Sequence, residues 1–203
     1  MIDSGKGKRP CNDKICFVTI GATATFPALL SCVLSEPFIA TLASLDYTHL
    51  HIQHGSEPGP SMLAAYLAAH PNPPILLTGF DFEPAGLMDE MADAHSGVVI
   101  SHAGSGSILD GMRVGAPMIV VPNAELMDNH QLELAVELSR QGLVVRGKLE
   151  DLAAALPKAE RLRRRLADGP ASGAGKTPVA QGGLQQVLEE ELAALDRQNM
   201  WEG

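Results

Sequence analysis

The sequence predicts an α/β domain: a parallel sheet of about six strands, doubly wound, with helices on both faces. Three observations predict it. Short β-branched runs such as ICFVTI (15–20), GVVIS (97–101) and PMIVVP (117–122) are mostly apolar instead of alternating, as expected of strands buried on both faces. Helical patterns such as SMLAAYLAAH and DNHQLELAVELSRQG separate them. Glycine or proline punctuates most of the joins.

Residues 1–14 read as a polar, disordered lead-in. The run from Ile15 to Ile20 is a strand that stops at Gly21. PALLSCVLSEPFIATLASL is helical in two pieces, with the break expected at Pro37. THLHIQHG is a strand, SMLAAYLAAH a helix closed by Pro71, and PPILLTGFDF a strand. AGLMDEMADAH is helical, GVVISHAG the fourth strand and SILDGMRVG a helix ending at Gly115. PMIVVPN is a strand, DNHQLELAVELSRQG an amphipathic helix ended by Gly142, and LVVRG a short strand. KLEDLAAALPKAERLRRRLADG is helical with a break near Pro157, completing a domain over 15–167. Residues 168–183 (DGPASGAGKTPVAQGG) read as a flexible insertion. A last helix is expected over 184–203, with an apolar stripe through Leu184, Val187, Leu188, Leu192 and Leu195 that needs a docking surface.

The 203 residues suffice for one good-sized core. A net charge of −9 argues against a nucleic-acid partner, which calls for a basic stripe. Three cysteines, Cys11, Cys16 and Cys32, form no disulfide framework and point to a reduced, cytosolic compartment. No apolar run approaches the ~20 residues of a membrane span.

A doubly wound sheet binds ligands at the carboxyl ends of its strands. There, SHAGSGS follows a strand and opens a helix. Gly104 and Gly106 remove the Cβ atoms that keep a ligand from the helix N-terminal amides, and Ser105 and Ser107 add hydroxyls. With the helix dipole, the loop suits a phosphate or diphosphate. The alternative is a plain turn, with Ser107 as N-cap and Asp110 completing a capping box. On the next unit, Asp128, Asn129, His130 and Gln131 gather at another helix start. A cap explains Asp128 and Gln131, whereas Asn129 and His130 suit sugar hydroxyls.

FVTIGAT, SCVLSEPF, GFDF, VVISHAGSGSILD and LMDNHQLELA, in that order over most of residues 15–150, resemble a known family. It is that of the catalytic subunit of the two-subunit N-acetylglucosaminyltransferase of asparagine-linked glycosylation. The layout is similar to the donor-binding half of the bacterial lipid-linked N-acetylglucosaminyltransferases of glycosyltransferase family 28. The resemblance implies a Rossmann-like domain that is one half of a GT-B glycosyltransferase. It implies UDP-N-acetylglucosamine as donor, a dolichol-linked acceptor, no cofactor, no metal and inversion at the anomeric carbon. Two such domains need roughly 300 residues or more, so a membrane-anchored, acceptor-binding partner subunit is implied, on the cytosolic face of the endoplasmic reticulum. By the same resemblance, Gly21, Ala22, Thr23, His102, Gly104, Ser105, Gly106 and Ser107 line the diphosphate. Asp110 meets the ribose, Phe80 and Asp81 in GFDF border the uracil, and Asn129, His130 and Gln131 hold the sugar. No catalytic base is assigned.

The cluster His49, His51 and His54 departs from the family pattern and lacks a fourth ligand type nearby, so it reads as a polar strand end. SGAGKT has Pro170 where a P-loop needs its first glycine. Asp81 and Glu83 are not needed as metal ligands beside a helix-terminus site. RLRRRL (161–166) is either a solvated face or a surface for anionic headgroups or an acidic partner. Two rivals remain: a non-catalytic sugar-nucleotide-binding regulatory module, and a nicotinamide-dependent oxidoreductase. The second lacks its glycine fingerprint, because Leu109 stands at the third glycine position.

Overall fold

The computed structural model describes residues 13–21, 25–123 and 129–168, with the main chain alone for 129–131. Apart from Asp168, these belong to the first of two units into which the chain divides, Met1–Ala167. The expected insertion (168–183) and terminal helix (184–203) lie outside the described residues beyond Asp168.

Six parallel strands form one sheet in the order β3-β2-β1-β4-β5-β6. They are β1 (Ile15–Thr19), β2 (His49–Gln53), β3 (Leu76–Phe80), β4 (Val98–Ser101), β5 (Met118–Val120) and β6 (Val145–Arg146). Between them run α1 (Pro27–Val33), α2 (Glu36–Ser44), α3 (Gly59–Ala69), α4 (Met88–Asp93), α5 (Ser105–Arg113) and α6 (Asn129–Arg140). Helix α7 (Leu156–Ala167) closes the unit after two short 3-10 turns. Among the described residues no single helix is long and apolar enough to cross a membrane.

Side chains alternate across a strand, and the main core lies on one face. There Cys16, Val18, Leu50, Ile52, Ile100 and Ile119 pack against Leu29 and Val33 of α1, Phe38 and Leu42 of α2, and Leu156 of α7. Each fully buried Leu, Ile or Phe contributes roughly 1.5–3 kcal/mol. The opposite parity puts Phe17, Val99, Met118 and Val120 on the other face, the side reached by α4, α5 and α6. On that face β3, an edge strand, leaves Leu76 exposed.

The helix breaks differ from expectation in one consistent way. Both prolines thought to interrupt helices start them. Pro37 lies in the first turn of α2, and the chain breaks before it, at Leu34–Ser35. Pro157 is the second residue of α7. The first helical turn has no use for the missing N–H, so proline is tolerated there.

At the amino end of the sheet, Glu160 of α7 anchors the helix to the strand starts. Lys14 Nζ lies 2.8 Å from its Oε1, Tyr47 donates to the same oxygen at 2.8 Å, and Arg163 donates to Oε2 at 3.0 Å. Burial alone raises the Glu160 carboxyl, but the Lys14, Arg163 and Tyr47 hydrogen bonds outweigh it and hold the pKa below its ordinary value. A depressed carboxylate stabilises the fold above its unfolded pKa of about 4.5, and the contribution is lost as pH falls through the lower, folded value. Replacement by alanine strands the Lys14 ammonium and the Tyr47 hydroxyl. Glu160→Ala is therefore expected to lower urea-measured stability by on the order of 2–3 kcal/mol at pH 7. The gap should narrow as acid titrates the native protein.

Candidate functional site

β1 and β4 are neighbours at the centre of the sheet, and the chain leaves them in opposite directions, β1 toward β2 and β4 toward β5. This is the topological switch point, where the loops part and leave a crevice beyond the carboxyl ends. An unusual row of polar side chains floors it. Thr19 ends β1 in register with Gln53 of β2 on one side and Ser101 of β4 on the other. Thr19 and Ser101 are fully buried, Gln53 is 2% exposed, and Asn123 just past β5 is 5% exposed. The Thr19 hydroxyl donates to Gln53 Oε1 and accepts from the Gly21 N–H at 3.1 Å. Ser101 Oγ and His102 Nδ1 are buried without a hydrogen-bond partner.

The His102 imidazole sits between the two loops. A Cβ at Gly21 would lie 2.4 Å from its Cε1, and a Cβ at Gly104 would lie 2.4 Å from its Nε2. Gly21 also has a φ of +83°, a conformation that disfavours any side chain. The glycines are thus required first by the histidine ring. Burial lowers the pKa of His102, with a smaller opposing pull from the Thr19 main chain, which favours the neutral ring. Next to it, buried Ala103 has a φ of 72°. Such a conformation in a residue with a side chain costs roughly 1–3 kcal/mol and recurs where a site over-determines the backbone.

Helix α5 begins three residues earlier than the capping-box reading requires. Gly104 is the N-cap residue, and no side chain caps the helix. Ser107 therefore lies in the first turn, and Asp110 is paired with Arg113 at 3.1 Å instead of reaching back to the helix start. The amides of Ser105, Gly106 and Ser107 belong to the first turn, whose N–H groups find no acceptor within the helix. A Cβ at Gly106 would meet nothing within 4 Å, so this glycine opens the amides outward. Preorganised donors plus a helix dipole form a site for an anion without a metal.

His102, Gly104, Ser105, Gly106, Ser107 and Gly21 are thus brought together. Ala22 and Thr23 lie outside the described residues, as do the side chains of Asn129, His130 and Gln131. The main chain of these last three starts α6. Phe80 ends β3, its ring parallel to Phe17 at 6.4 Å between centroids and tilted 5.1 Å from His51. Asp81 is exposed and Phe82 is 59% exposed, so Phe82 is the more accessible ring of GFDF. The histidines of β2 and the residue after it are engaged separately: His51 with Thr78 at 2.7 Å and Glu90 at 3.3 Å, His49 with Thr48 at 2.7 Å, and His54 with the Gly55 carbonyl at 2.7 Å. Among the described residues no group of three or more His, Cys, Asp or Glu is placed to hold a metal. Thr19, Gln53, Ser101 and Asn123 went unnoticed in the sequence. Their signal is a polar residue closing each of several apolar runs.

Two outcomes follow from the packed ring. In a proton NMR titration, His102 is expected to titrate below the ordinary histidine value of 6.5. In Gly104→Ala the new methyl displaces the imidazole toward water, so its midpoint moves back up while the sheet remains folded.

The glycosyltransferase family 28 C-terminal domain model matches residues 15–172. The chain is 36% identical over 180 residues to the UDP-N-acetylglucosamine transferase subunit ALG13 of Yarrowia lipolytica, covering 87% of this chain and 83% of that one. It is 35% identical over 156 residues to the subunit of the same name from Saccharomyces cerevisiae, covering 65% and 76%. Among solved structures, the solution structure of ALG13 superposes with a TM-score of 0.61 at 28% identity, covering 87% of this chain and 95% of that one. Acinetobacter baumannii MurG superposes at 0.56 and 16% identity, covering 77% and 43%, a likeness of fold. An uncapped helix start at the switch point and a family match across most of the chain agree: the chain belongs to the family of the glycosyltransferase family 28 C-terminal domain.

Proposed function

We propose that the chain is the donor-binding catalytic subunit of a two-subunit enzyme. It transfers N-acetylglucosamine from UDP-N-acetylglucosamine to N-acetylglucosamine-diphosphodolichol, forming a β-1,4 bond with inversion. A membrane-anchored partner subunit presents the acceptor and holds this chain at the cytosolic face of the endoplasmic reticulum. The names of the relatives support the donor and the subunit character. The observation that carries the reading is the uncapped start of α5, opened by Gly104 and Gly106 beside the half-buried His102 ring.

In this reading the diphosphate lies against the amides of 105–107, between the Gly21 and His102 loops. Asp110 faces the ribose, the 79–82 stretch borders the uracil, and the start of α6 holds the sugar. As the glycosidic bond breaks, charge develops on the departing UDP. Fixed amides, hydroxyls and a helix dipole stabilise it with no reorganisation; one well-placed donor is worth ~10²–10³ in rate. The acceptor hydroxyl must also lose its proton to a base. His102 is committed to packing between the loops, so the base is assigned to the partner or to the complete cleft.

Gly106 gives a clean test, because a Cβ there meets nothing. An aspartate in the first turn of a helix also favours the helix dipole, so Gly106→Asp should leave thermal stability level or raised. The same carboxylate repels a diphosphate. In the complex reconstituted with its membrane partner, with labelled UDP-N-acetylglucosamine and a lipid acceptor, transfer should fall by ~10² or more. A scaffold that does not bind donor would keep transfer unchanged, and that result would overturn the reading.

A further inference from the structure

We propose that Thr19 is a positioning residue for the donor: its hydroxyl sets the turn at Gly21 that borders the diphosphate. This deepens the donor-site reading and rests on it. Thr19 has 0% exposure in a strand whose other members are apolar, and valine has the same shape. A buried hydroxyl is costly unless it is bonded on both sides, and here it is. A hydroxyl has one proton and two lone pairs. Gln53 Oε1, in register on the neighbouring strand, takes the proton and thereby turns a lone pair toward the Gly21 N–H, 3.1 Å away.

The relay continues by contact. Gly21, held in its left-handed conformation, lies against the His102 ring, and the ring lies against Gly104 at the start of α5. Gln53, Thr19, Gly21, His102 and Gly104 thus form one line from the sheet interior to the uncapped helix. Loss of the hydroxyl frees the turn at one end of the line. At the uracil end Phe80 is in register with Gln53, but its ring packs on Phe17 and His51 and takes no part in the hydroxyl relay. Thr19 should therefore affect binding of the diphosphate and not of the nucleoside, a distinction that a general loss of packing would not make.

The test uses the full chain and NMR titrations with uridine, UDP and UDP-N-acetylglucosamine. Thr19→Val should weaken UDP and UDP-N-acetylglucosamine about tenfold, the worth of one hydrogen bond, and leave uridine unchanged. Thr19→Ser, which keeps the hydroxyl, should restore the affinity. Gln53→Met, a second route that leaves Thr19 in place, should weaken UDP in the same direction. Thr19→Val or Gln53→Met proteins that bind UDP like the unsubstituted chain, or that lose uridine and UDP equally, would overturn the proposal. The Gly21 amide is read independently in the unsubstituted chain: protected hydrogen exchange supports the relay, and exchange at the free rate overturns it. If the unsubstituted chain shows no affinity for UDP while the Gly21 amide is protected, the donor reading fails and the proposal fails with it, the relay surviving only as structure.

Discussion

Everything at the carboxyl end of this sheet depends on where one aromatic ring is put. The His102 imidazole fills the gap between the turn after β1 and the turn after β4, and each turn meets it with bare backbone. Filling the gap this way fixes the spacing of two loops on adjacent strands without a covalent link. It also favours the uncharged form of the histidine. An imidazolium enclosed by main chain would lose its hydration, and the depressed pKa is the expression of that cost. The ring works as a spacer with a polar edge.

An acidic chain with an anion site looks contradictory until the length scale is considered. The charge of −9 is spread over 203 residues, and salt screens it beyond about 8 Å. What a diphosphate meets is local: unpaired amides and roughly half a positive charge at the helix start. The nearby Asp110 carboxylate would oppose this, but it is paired with Arg113 on the next turn. The net charge therefore argues against a polyanion tracked over tens of ångströms and not against the proposed two-phosphate ligand.

The fold was legible because its signals are periodic. Apolar runs such as those holding Cys16–Val18 and Val98–Ile100 have one interpretation once helices alternate with them, and all six strands fall where those runs do. The misjudged points were local contests between neighbours. Pro37 and Pro157 break helices from within but begin them from the first turn, and only the packing of the following residues decides which. Likewise the spacing of Ser107 and Asp110 fits a capping box, yet Arg113 captures the aspartate. The glycine- and serine-rich loop after β4 is legible as a contiguous string. The polar row of Gln53, Thr19 and Ser101 is not, because it exists only across strands, and register is a property of the sheet.

The proposed half-enzyme is chemically reasonable in view of how the labour would divide. Stabilising a departing diphosphate takes donors fixed relative to one another, and on the proposed reading those donors would come from the loops of adjacent strands and one helix start. All of them belong to one folding unit. Deprotonating an acceptor takes a group on the far side of the sugar, facing the opposite flank of the anomeric carbon in an inverting displacement. No rigid connection between the two sets is demanded; only the sugar must be held in line between them. A cleft between two chains can therefore do what a cleft between two domains does, provided the interface fixes their orientation. In the proposed division, the packing of Gly21 and Gly104 against the His102 ring would supply this chain's share of that rigidity.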